Sequence, residues 1–146
     1  MNRNELWLLR ISAVLWVIWG LVHVLAGVLT MAQETAGAVA GIADAVDPDL
    51  LINDYHAAVG ALLNQHGFNL AWIGATTTVS AIWIWRGSGI AIFLAALVGG
   101  LADVGYFIFM DLGGFVNFVP GTVMTLVSSA AIVTSFYAWF SNRRAP

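Results

Sequence analysis

Between Arg10 and Glu34 the chain runs for 23 residues without a lysine, arginine, aspartate or glutamate. That exceeds the roughly 20 residues a helix needs to cross hydrocarbon, and it constrains the fold more than any other feature. A signal peptide is the competing reading. Its apolar region would be about 7–15 residues long and followed by a small-residue cleavage site. Neither holds, so the expectation is a retained first transmembrane helix at about 6–31.

The rest of the chain cannot cover a water-facing surface. Only 9% of the residues are charged, against roughly 25% in a soluble domain. With no lysine there is no retinal Schiff base and no polybasic patch for nucleic acid. With no cysteine there are no disulfides, thiolate metal sites or thiol catalysis.

Further apolar segments follow at about 56–85, 90–110 and 115–140. The second exceeds one plain span, so it either projects beyond the bilayer or breaks near Gly67. Arg86-Gly-Ser-Gly and Asp111-Leu-Gly-Gly read as tight turns, and Pro120 falls in the first turns of the fourth span. The connection over 32–55 is acidic, with Glu34, Asp44, Asp47, Asp49 and Asp54. Within it, Asp47-Pro48 is a helix start: a capping side chain, then proline at the first helical position. All five arginines lie at the N-terminus, the second connection or the C-terminus. Positive residues stay cytoplasmic, which places both termini inside and the acidic loop outside. Trp7, Trp83, Trp85 and Trp139 then form an inner aromatic belt. The chain is expected to be all-α, an integral membrane four-helix transmembrane bundle, N-in/C-in, with an acidic, partly helical outer loop. Its expected location is the bacterial plasma (inner) membrane.

Topology converts residue number into depth, at about 1.5 Å per helical residue. His23, Asn69 and Asp103 each come out roughly 22–25 Å above the cytoplasmic side, with His66 slightly higher and Asn117 just inside the outer end of the fourth span. Helical faces support a shared location. Trp16, Gly20, His23, Gly27 and Thr30 form one stripe, and Gly60, Asn64, Gly67, Ala71, Gly74 and Thr78 another, with His66 and Asn69 beside it. Ala96, Gly100 and Asp103 align in the third span, and Gly121, Ser128 and Ser135 in the fourth. Small residues mark close helix approach, and ionisable groups inside membranes point into the protein.

These residues predict an outer-leaflet pocket. His23, His66, His56 and Asp103 are the candidate metal ligands, for zinc, iron or copper. Haem b held by His23 and His66 is the weaker cofactor candidate. Asn69, Asp103, Asn117, Trp72 and Tyr106 are the candidate contacts for a quinone-like or lipid-like ligand with a polar head. A His/Asp pair can also relay protons. Spacing does not single out a metal, because no two histidines share a helix face. Each residue also has a plainer role: His23 as a hydrogen-bonded core histidine, Asp103 as an ion-pair partner of His23 or His66, His56 and Asp54 as surface groups. The glycines and tryptophans are packing and belt residues by default. The competing function is therefore a non-enzymatic accessory or assembly subunit whose polar residues serve packing. Expected partners are membrane lipids, a second copy or a larger membrane complex, and no nucleic acid. In size and span count alone the chain is similar to small bacterial four-helix membrane proteins such as the DoxX-like group, and no residue role is carried over.

Overall fold

The computed structural model describes residues 3–144, the side chain of Arg144 excepted. Every regular element among them is helical. α1 covers Arg3–Ala32, α2 is the short Thr35–Ile42, and a single 3-10 turn follows at Pro48–Leu50. α3 covers Ala57–Trp85 and α4 covers Gly89–Tyr106, widening into a π-helical turn at Phe107–Asp111. A second π-helical turn, Phe118–Thr122, leads into α5 at Val123–Arg144.

Three stretches, Arg3–Ala32, Gly89–Asp111 and Phe118–Arg143, are long and apolar enough to cross a membrane. α3 matches them in length at 29 residues. Asn64, Gln65, His66, Asn69 and the threonines at 76–78 dilute its apolar character.

Local chemistry explains where the helices begin and end. Asp47 caps the 3-10 turn through Asp49 N–H at 3.0 Å, with Pro48 following the cap. His56 caps α3, its Nδ1 accepting from Ala58 N–H at 3.2 Å. Gly87 takes φ +83° in the turn between α3 and α4, a conformation that glycine adopts without strain. α5 becomes regular later than the apolar run at 115–140 leads one to expect. Proline pushes the residue before it out of the helical region, and Val119 has φ −115° and ψ 126°. The helix therefore cannot extend back to Asn117.

Gly67 does not break α3; it makes a helix contact. α1 and α3 run antiparallel and meet at two glycine pairs. A Cβ on Gly20 would lie 2.5 Å from Gly74 O, and one on Gly67 would lie 2.8 Å from Gly27 O. Both pairs are seven residues apart on each helix, so one face repeats the same close contact. In hydrocarbon, apolar burial between helices gives little net drive, and packing this close supplies the association instead.

α1 also packs along α5, and α4 packs against α3 and α5. α1 and α4 thus stand diagonally across the centre. Trp16 and Trp19, both fully buried, cross the gap from α1. Gly99 on α4 makes room for Trp16, because a Cβ there would fall 2.6 Å from its ring. Ser12 ties α1 to α5, its hydroxyl donating to Ala131 O at 2.8 Å.

Candidate functional site

The buried polar centre lies where the diagonal tryptophans meet α4. Asp103, 5% exposed, accepts a hydrogen bond from Trp19 Nε1 at 2.8 Å. His23 follows Trp19 by one helical turn, and the two rings stack with centroids 3.6 Å apart and planes 19° apart. His23 Nδ1 lies 2.8 Å from Trp19 O, an acceptor, so Nδ1 carries a hydrogen. Nε2 is left facing Asp103 Oδ1 at 4.0 Å. That exceeds a direct hydrogen bond. A lone pair on Nε2 would repel a carboxylate oxygen, so the stable arrangements place a proton on one of the two groups or a donor between them. Ser128 of α5 lies beside the same carboxyl.

A second polar layer stands toward the far end of α4. Thr122 donates its hydroxyl to Asp111 Oδ1, joining the two π-helical turns. Asp111 Oδ2 and Thr125 Oγ1 are buried without partners. Tyr106 sits in the field of Asp111, Asp44 and Asp103, and its hydroxyl packs onto Gly121.

The other candidate residues do not join this centre. His66 is exposed, because Gly67 takes the interface and the next residue along a helix turns about 100° away. Asn69 is half-buried and accepts from Trp72 Nε1 at 3.0 Å, so these two satisfy each other on α3. His56 is exposed at the start of α3, where its ring serves as the cap. Asn117 is exposed and tied to the connection between α1 and α3. Its N–H donates to Asp44 Oδ1 at 2.7 Å and its Nδ2 to Asp44 O at 2.8 Å. Of the expected metal ligands, only His23 and Asp103 come together. Among the described residues, no three His, Asp or Glu side chains gather as a metal site.

Trp19 is the participant that sequence reasoning missed. The available signal was its i, i+4 relation to His23, which puts both rings on one face of α1. In the sequence Asp44 likewise reads only as a loop charge, since its partner is 73 residues away.

Two further buried hydroxyls are committed to helix carbonyls. Ser135 donates to Ala131 O at 2.8 Å and Thr77 to Gly74 O at 3.0 Å. Neither is paired with a base. Comparison with known proteins finds no matching family model, curated protein or solved structure.

Proposed function

We propose that this chain is a non-enzymatic accessory or assembly subunit of a membrane complex, a four-span bundle in the bacterial inner membrane with both termini cytoplasmic. In this reading α3 is the remaining span, held between α1 and α4, and the Trp19–His23–Asp103 centre locks the diagonal helices in register. The Trp19–Asp103 hydrogen bond carries the reading. It occupies the most buried carboxyl with a structural donor, 84 residues away in sequence. A ligand site would need such groups turned toward an open space. Metal binding has no comparable support, since His66 and His56 stand apart from His23.

Orientation is supported by charge. Arg10 lies over Trp7 and Trp85, Arg86 over Trp83 and Arg143 over Trp139. These three arginines and four tryptophans thus share one end, as a cytoplasmic interface requires.

The test is purification of the full chain in mild detergent, followed by elemental analysis, an absorption spectrum and thermal unfolding. Asp103→Leu should leave Trp19 Nε1 unpartnered and lower stability by about 1–3 kcal/mol, with no change in metal content or absorption. Stoichiometric metal or a Soret band that His23→Ala abolishes would overturn the proposal. Because the chain has no cysteine, single cysteines at Ser88 and Asn53 report orientation. Labelling of Asn53→Cys from outside and of Ser88→Cys only from inside is the expected pattern.

A further inference from the structure

A groove of about 380 Å³ runs between α1 and α3, away from the Asp103 centre. Val14 and Ile18 of α1 and Ile82 of α3 wall it, all about half exposed, and the buried Ala81 forms its floor. It ends at Trp85 and Arg86. One helical turn before Val14 stands Arg10, whose guanidinium lies 5.3 Å from the Trp85 ring centroid. The groove is therefore apolar along its length and cationic at one end.

Arg10 adds a second, independent observation. Its Nε is buried without a hydrogen-bond partner. Stacking on an aromatic face engages the face of a guanidinium and leaves its in-plane N–H groups free to donate. A buried donor of this kind calls for an acceptor. Arg86, exposed at the same end of the groove, has its guanidinium 5.1 Å from the Trp83 ring centroid. Charge identifies the acceptor: the segments at this end contain five arginines in the sequence and one acidic side chain, Glu5. Glu5 is itself buried and engaged in an interaction of its own.

We propose that this groove binds one anionic glycerophospholipid, its phosphate accepting from Arg10 and Arg86 and an acyl chain lying along Val14, Ile18 and Ile82. Basic pockets between membrane helices on the cytoplasmic side hold anionic head groups in this manner, and arginine suits phosphate because its donors form a planar fork. The proposal rests on the membrane placement given above but not on the Asp103 lock.

The test is native mass spectrometry of the full chain in detergent with phosphatidylglycerol and phosphatidylcholine added in equal amounts. One phosphatidylglycerol should be retained in preference to phosphatidylcholine. Arg10→Gln with Arg86→Gln should weaken that retention by roughly 30-fold, from the contribution of two surface arginines toward anionic lipid. Val14→Trp, which fills the groove and keeps the charges, should also abolish it. Arg143→Gln removes a charge from the same end, at α5, and should leave it intact. Equal retention of the two lipids would overturn the proposal. So would an equal loss in Arg143→Gln, which marks general charge attraction, or unchanged retention in Val14→Trp. Thermal unfolding of each variant confirms that it folds. Asp103→Leu should not alter lipid retention, so failure of the lock and failure of the lipid site are read separately.

Discussion

Trp19 reaches across the centre of the molecule to hydrogen-bond Asp103 at 2.8 Å, joining two helices that otherwise stand diagonally apart. The stacked ring of His23 holds the indole in that orientation. A buried carboxyl therefore has its donor and a facing imidazole supplied by one turn of α1. If this bond locks the helices, Trp19→Phe and Asp103→Leu should not be additive. Coupling between polar pairs inside membranes averages about 0.6 kcal/mol and reaches about 1.7. A double-mutant cycle on reversible unfolding should give a value in the upper part of that range. Strict additivity would show that the bond contributes nothing to stability.

The glycine pairs make a sharper prediction because the same substitution has opposite effects at different sites. A Cβ on Gly74 would lie 2.8 Å from Val24 N, in the backbone of α1, which cannot move aside cheaply. Gly74→Ala should force α1 and α3 apart and cost about 1–3 kcal/mol. A Cβ on Gly105 would meet nothing within 4 Å. Gly105→Ala should gain up to about 1 kcal/mol of helix propensity. Thermal unfolding of the two variants side by side checks the contrast. Equal effects would mean that the close contact does not hold the pair together.

Asp44 and Asn117 form a latch between the α1–α3 connection and the segment that leads into the second π-helical turn, reinforced by Ala45 N–H donating to Phe115 O at 3.1 Å. Asn117→Ala removes the side-chain bond to Asp44 O and keeps the backbone one. Each exposed bond is worth about 0.5–1.5 kcal/mol, so global unfolding should shift little. Local opening should rise instead. Hydrogen exchange over 33–56 should quicken several-fold while exchange in α1 and α5 stays unchanged. Faster exchange throughout the protein would show that the latch holds more than the loop.

The helical class and three of the apolar helices could be read from the sequence, because long uncharged runs such as the one after Arg10 leave few alternatives. Glycine spacing also pointed to the right faces of α1 and α3. The site was less legible. Depth puts His23, Asn69 and Asp103 at one level with His66 slightly higher, but depth does not say which way a side chain points. One residue of rotation separates the buried Gly67 from the exposed His66. Asn117 was misplaced for a different reason: Pro120 ends the helix before reaching it, and hydropathy does not register that stop. The role of Trp19 depends on a diagonal contact 84 residues long, which no local pattern encodes.

The second polar layer yields the prediction with the least obvious sign. Thr125 Oγ1 is buried and unpartnered, while Thr122, one turn earlier on the same face, donates to Asp111. Valine has nearly the shape of threonine without the hydroxyl. An unsatisfied buried hydroxyl costs about 1–3 kcal/mol, so Thr125→Val should stabilise the protein by up to that amount. Thr122→Val should do the reverse, since it strips the donor from Asp111 and leaves a buried carboxylate oxygen bare. Thermal unfolding of the two single variants measures both signs. If Thr125→Val instead lowers stability, its hydroxyl has an acceptor or a bound water in solution, and the layer between Asp111 and Asp103 is hydrated.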